Sequence, residues 1–464
     1  MPRTQLSKHS ATGNSIKSSF ITGTLLLTIA GVITRIIGFF YRVFLSRTIG
    51  AEGLGIYQLL SPVTALGFAV TSAGIQTSIS RFVSTEIGKK NVAGARLYLF
   101  VGLAVSLALS ALTGAFIWKN AAFIAVSWLG DRRCEPLLAV LSLSFVPSCI
   151  HACINGYYYG LKKAAVPSLC QLTEQFARVG SVYLIHQICV SDGRPFTLSM
   201  TAWGLVIGEI ASTLVSLTCF SLAKATAPTS GSSFSRRRML LPYTGSLLSM
   251  AIPLTANRIV LNFFSSFENI MIPNRLRLFG YTNAESLSVY GILTGMAMAV
   301  IMFPSVVTNS ISVLLLPTIS EAQASGDVRL IRRTIRRTVE SCLFFGFLCT
   351  AGFLATGSFI GNVLFGNALA GNFITTLGWI CPFLYLSSTL SSILHGLGFP
   401  GITFGLNLAS CAVRIVFVLY AVPLLGIKSY LWGILVSQIV IATVALLILY
   451  QKEIGRNKKR VPQK

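Results

Sequence analysis

Apolar residues in this chain neither alternate with polar ones nor recur every third or fourth position; they run on without a break. Stretches of about 18 or more predominantly apolar residues, the length an α-helix needs to cross a bilayer, occupy 20–46, 55–82, 95–118, 136–159, 166–189, 198–222, 245–273, 287–317, 339–360, 373–397, 401–422 and 430–450. The pattern predicts an all-α polytopic membrane protein of about twelve transmembrane helices. Polar residues gather between these runs. The Ser-, Thr- and Pro-bearing segment 226–243, with Arg236, Arg237 and Arg238, is a polar connection near the middle of the chain and reads as a cytoplasmic linker. It separates an N-lobe of six helices (20–225) from a C-lobe of six (244–450), with a cytoplasmic tail at 1–19 and a basic one at 451–464.

Composition agrees: 53% of the 464 residues are hydrophobic and only 11% charged, with a mean hydropathy of +0.73. A net charge of +24 would suit nucleic acid, but the lysines and arginines sit in short segments beside the apolar runs. They cluster in the N-terminal tail, around Lys89, Lys90 and Arg96, at Lys162 and Lys163, at 236–238, from Arg329 to Arg337, and in the C-terminal tail. With both termini in the cytoplasm, this placement satisfies the positive-inside rule, and no nucleic-acid partner is implied. The first apolar run is long, holds arginines and lacks a small-residue cleavage site, so it reads as a span and not a cleaved signal peptide.

The halves repeat each other. Gly55-Ile56-Tyr57 answers Ser288-Val289-Tyr290, Asn155-Gly156 followed by Arg178 answers His395-Gly396 followed by Arg414, and Trp203-Gly204-Leu205-Val206 answers Trp432-Gly433-Ile434-Leu435. Repeats of six helices start and end on the same membrane side, which makes them parallel and predicts a two-lobed transporter working by alternating access.

Six arginines fall within or at the ends of apolar runs: Arg35, Arg42, Arg81, Arg178, Arg258 and Arg414. An arginine at membrane depth costs at least about 2.5 kcal/mol on insertion scales and turns toward a protein interior or a wet cavity. The guanidinium fork grips phosphate oxygens and stays charged at any physiological pH, so Arg35, Arg42 and Arg258 are the candidates for binding a diphosphate. Arg178, Arg414 and Glu174 are secondary cavity candidates, Glu174 and Arg178 being spaced for an ion pair along one helix. Glu268 has no basic residue three or four positions away and is expected to be an unpaired carboxylate that serves a coupling proton or sodium ion. Glu209 aligns with Gln438 and is explained by hydrogen bonding at a helix interface.

The ten cysteines read as buried free thiols. Cys149, His151 and Cys153 are close in sequence, but the second position after a residue points away from it on a helix; no metal and no cofactor is assigned. Among the acids expected outside, Glu52, Asp131, Glu135, Asp192 and Glu285 show no pairing suited to catalysis, which argues against an enzyme.

The motif Arg35-Ile36-Ile37-Gly38-Phe39 resembles the R-x-x-G-F stretch that opens members of the multidrug/oligosaccharidyl-lipid/polysaccharide (MOP) superfamily. Gln171-Leu172-Thr173-Glu174-Gln175-Phe176-Ala177-Arg178 is similar to the Q-x-x-E-Q-x-x-R of its stage V sporulation protein B branch. The stretches beginning at Asn269, Tyr290 and Leu316 resemble the same branch, which tends to carry Arg-Gly-Tyr where this chain has Asn155-Gly156-Tyr157. The resemblance implies a V-shaped MOP fold in a bacterial cell membrane, related to the MurJ-type lipid II flippases. It also implies a part in spore cortex or cell-wall polysaccharide synthesis. The expected function is a flippase for an undecaprenyl-diphosphate-linked saccharide or peptidoglycan precursor, with membrane lipids and a coupling proton or sodium as further partners. The alternatives are a cation- or proton-coupled drug antiporter of the same superfamily and a non-transporting membrane protein or polymerase of polysaccharide assembly.

Overall fold

In a computed structural model, residues 6–225, 236–325 and 327–458 are described, and those residues form helices and short connections without a strand. Among the described residues nine helices are long and apolar enough to cross a membrane, and up to eleven spans result if each of two bent helix pairs counts as one. The sequence expectation of about twelve is one more than this upper count. The helix Ala165–Ser191 has the length, 27 residues, but carries Gln171, Glu174, Gln175 and Arg178 and is too polar to be counted with the others. Large apolar side chains face outward, such as Phe344 at 74% exposure and Leu424 at 77%. A lipid-facing helix shows that distribution, because hydrocarbon tails solvate what water would expel.

The expected tails and linker are more helical than the sequence pattern predicts. The first helix runs from Leu6 to Thr48, the last from Ile427 to Lys458, and a long helix already begins at Arg236. Residues 1–5, 226–235 and 459–464 of the expected tails and linker lie outside the described residues.

The described chain divides into two compact units, Met1–Gly38 with Val63–Asn262, and Phe39–Pro62 with Phe263–Lys464. The first helix and the helix Arg236–Phe279 each give their earlier part to the first unit and their later part to the second. In the first unit Ile75, Ile79 and Val83 pack with Leu99, Cys153 and Tyr157, and Leu247 and Ala251 join the same core. In the second, Leu386, Leu390 and Ile393 pack with Ile441, Ala445 and Leu449.

Each unit contains one bent pair, Cys134–Ser142 with Phe145–Gly160 at 45° and Ala368–Gly378 with Cys381–Gly396 at 57°. The second members are both 16 residues long. Each ends at Gly-Leu, with a left-handed residue next, Lys162 at φ 58° and Gly398 at φ 79°. The repeat is therefore in register as Gly160-Leu161 with Gly396-Leu397, which corrects the pairing of Asn155-Gly156 with His395-Gly396. The same offset brings Arg178 onto Arg414.

Polar caps finish the helices at the unit surfaces. Asn91 accepts from the Gly94 amide at 2.9 Å and donates to Glu86. Glu86 also accepts from Lys89 Nζ at 3.0 Å, a hydrogen bond that raises the pKa of the exposed ammonium. Thr282 and Glu285 form a reciprocal capping box.

Candidate functional site

Within the first unit a cavity of about 670 Å³ is lined by Ala65, Phe68, Ser72, Gln76, His151, Glu174, Glu209, Arg258 and Asn262. Its wall includes a π-helical turn, Ala69–Ala73, in the helix run from Leu60 to Gly88. Such one-residue expansions recur at functional sites because they shift side chains off the regular helix face. Asn262 Nδ2 donates to the Ala65 carbonyl at 3.1 Å and holds the helix bearing Arg258 against that run.

Arg258 is the candidate of the diphosphate set that the cavity includes. It is exposed, and it forms no ion pair among the described residues. Arg35 is also exposed and also belongs to the first unit. One turn of its helix is fixed by Thr34, whose hydroxyl accepts from Gln171 Nε2 at 3.3 Å, and by Gly38, where a β-carbon would sit 3.3 Å from Gln175 Nε2. Thr34 and Gly38 thus face the helix Ala165–Ser191, and Arg35 lies about 100° around from Thr34. Arg42 is half-buried and belongs to the second unit.

Glu174 and Arg178 do pair along one helix, as their spacing predicts. Glu209, buried at 5% exposure, pairs with His151: Nε2 lies 2.7 Å from Oε2. In the second unit the matching positions are Gln438 and Ser387, whose hydroxyl donates to Gln438 Oε1 at 2.8 Å. The helix-interface role read for Glu209 and Gln438 is thus realised in both units, with an ionisable pair in the first and a neutral one in the second. The cluster of His151, Glu174 and Glu209 was not legible in the sequence because its members come from three different helices. Cys149 and Cys153 take no part in it; all ten cysteines are free.

The expectation of an unpaired Glu268 is corrected. Arg414, 146 positions away, donates from Nε to Oε1 at 2.7 Å and from Nη2 to Oε2 at 3.0 Å, and the Tyr430 hydroxyl donates to Oε1 at 2.7 Å. Glu268 is 3% exposed. Arg414 also donates to Ser410 Oγ at 2.9 Å. A search for partners along one helix misses this bond because its two ends meet only after distant helices pack.

Several acids of the connections are engaged structurally. Asp131 binds Arg133 at 2.8 Å, Glu135 lies 3.7 Å from Arg132, and Glu285 caps its helix. Arg47 donates to the carbonyl oxygens of Val363 and Leu364, at the end of the helix Val328–Phe365, where free carbonyl groups favour a cation.

The fold is the one seen in solved structures of MATE family transporters. An inward-facing multidrug resistance MATE family transporter superposes with a TM-score of 0.70 at 15% identity, covering 93% of this chain and 96% of the other; an outward-facing form gives 0.62 at 16% identity, with 96% and 97% covered. The model of the family described as polysaccharide biosynthesis protein matches residues 20–323, and the chain belongs to that family. It is 27% identical to stage V sporulation protein B of Bacillus subtilis (strain 168) over 92% of this chain and 82% of the relative. Lipid II flippase MurJ of the same organism is 23% identical over 71% of this chain and 63% of its own length.

Proposed function

We propose that this multi-pass membrane protein flips an undecaprenyl-diphosphate-linked saccharide or peptidoglycan precursor across the bacterial cytoplasmic membrane, in spore cortex or cell-wall synthesis. The observation that carries the reading is Arg258, a guanidinium in the wall of a polar cavity between membrane-spanning helices. A charge kept at that depth without an ion pair serves an anionic visitor better than it serves stability. Kinship with the polysaccharide biosynthesis family and likeness to proteins named for sporulation and for lipid II flipping support this cargo class. Arg35, in the same unit, is proposed as a second phosphate contact, Arg42 remains a further candidate, and the charge pattern supports cytoplasmic termini. Glu268 stays the coupling candidate only if its bond to Arg414 opens during the cycle.

Translocation of a fluorescent undecaprenyl-diphosphate disaccharide in proteoliposomes tests this. Removing a charged hydrogen-bonding partner is worth about 1.5–3 kcal/mol, or about tenfold and more in rate. Arg258→Ala and Arg35→Ala are expected to lose that much at unchanged protein level, with Arg258→Lys in between because the point charge lacks the fork. Transport at the parental rate by the alanine variants rejects the diphosphate grip. The MATE-like fold, together with Glu174 and Glu209 in the same cavity, favours a second reading, a cation-coupled antiporter. Gradient-driven efflux of ethidium, with no flipping of the lipid-linked sugar, would select it.

A further inference from the structure

We infer that His151, Glu174 and Glu209 form a binding site for a divalent transition metal, with its open position toward the cavity. One nitrogen or oxygen from each of the three lies within 4.8 Å of the others. Zinc-type bonds of about 2.0–2.2 Å place ligand atoms about 3–3.5 Å apart. Binding therefore draws Glu174 inward and moves His151 Nε2 and Glu209 Oε2, now at 2.7 Å, slightly apart. One imidazole with two carboxylates is a donor set for zinc, manganese or iron(II), and a fourth position is left for water or cargo.

A second observation comes from behind the histidine. Asn155 is 92% buried, being 8% exposed. Its Nδ2 lies 3.5 Å from His151 Nδ1, while its Oδ1 has no hydrogen-bond partner among the described residues. Turning the amide over brings Oδ1 to the imidazole, where it accepts the Nδ1–H. That tautomer leaves the Nε2 lone pair facing a carboxylate oxygen, two acceptors in contact, which requires a cation between them. Metal-binding histidines are held by such a carbonyl on the far nitrogen. Glu174 is held in the same way from outside by Arg178, so both kinds of ligand have a supporting partner. A proton alone would satisfy His151 and Glu209 and leave the convergence of Glu174 unused.

The site goes beyond the flippase reading and does not depend on it. Where both hold, the ion and Arg258 line one cavity and together face an anion. Full-length protein, purified in detergent and stripped with chelator, is titrated with Co²⁺ and followed by visible absorption, then competed with Zn²⁺. One Co²⁺ per chain is expected. His151→Ala and Glu209→Gln should abolish stoichiometric binding, and Asn155→Ala should weaken it about 10–100-fold, the usual effect of losing an outer partner. His395→Ala, at the end of a helix in the second unit, should leave binding unchanged. Glu174→Gln, nearly isosteric, serves if the histidine variant does not elute as a monodisperse protein. Absence of stoichiometric Co²⁺, binding that survives both His151→Ala and Glu209→Gln, or an intense near-ultraviolet thiolate band placing the ion on cysteine overturns the proposal. A melting temperature that responds to pH but not to metal would make the cluster a proton site only and overturn it as well. No arm of the experiment measures transport, so a failed metal site leaves the flippase reading standing, and the reverse.

Discussion

Glu268, Arg414 and Tyr430 show how far the fate of one carboxylate depends on residues distant in sequence. Burying a lone carboxylate among apolar helices costs several kcal/mol; here a two-pronged guanidinium and a phenol offset that cost. Removing one partner should therefore be worse than removing both. Arg414→Met is expected to destabilise the protein by about 3–5 kcal/mol, since it strands a buried charge, and Arg414→Met with Glu268→Leu to recover most of the loss. Thermal melting in detergent checks both, and equal melting of the single and double variants would show that the bond contributes little. The local pair Glu174 and Arg178 was legible because its partners are one turn apart on the same helix. The partners of Glu268 and of His151 were not, since no spacing rule reaches across separate helices.

At the scale of the element, the decisive contacts are those that place backbones against each other. The helices Gly50–Gln58 and Asn283–Gly291 pack together in the second unit. A β-carbon on Gly55 would lie 2.0 Å from the Leu287 carbonyl oxygen, and one on Gly291 would lie 2.2 Å from that of Ala51. Neither neighbour is a side chain that can rotate away, so the helices would have to separate. Gly55→Ala and Gly291→Ala are each expected to destabilise by about 1–3 kcal/mol, the range for overpacking. Gly352→Ala, whose added carbon meets nothing within 4 Å, should be neutral or stabilising, as alanine outranks glycine inside a helix. A melting series comparing the three variants decides the point; equal shifts would remove the crossing as the cause. The Tyr57 and Tyr290 stretches of the repeat mark these same helices, yet their close approach needed coordinates. The bent pairs were similarly half legible: each run was visible, while the kinks between Ser142 and Phe145 and between Gly378 and Cys381 were not.

For the whole molecule, charge placement leads to a test of orientation. Short basic segments remain on the cytoplasmic side because moving them across is unfavourable. Cysteines introduced at Arg236 and Arg332 in a cysteine-free background should therefore react with an impermeant thiol reagent only after the membrane is opened. One introduced at Lys428 should react in intact cells. Labelling of Arg236→Cys from outside would reverse the topology. The long apolar runs and the basic segments between them carry this expectation, and both are properties of sequence order alone.

Sequence by itself determined the class of protein, the helical content and the repeated order of motifs, because apolar length and local spacing act along one helix at a time. It also marked Arg258 and the Glu174–Arg178 pair as functional candidates. Tertiary structure alone decided which residues share a cavity, that Glu268 is bonded, and that Asn155 stands behind His151. It also decided that the first helix and the helix Arg236–Phe279 are each shared between the two compact units. The physical reason is common to all four. Hydrogen bonds, ion pairs and close packing between helices depend on how whole helices tilt and rotate, which the summed packing of many side chains sets and no single stretch of sequence specifies.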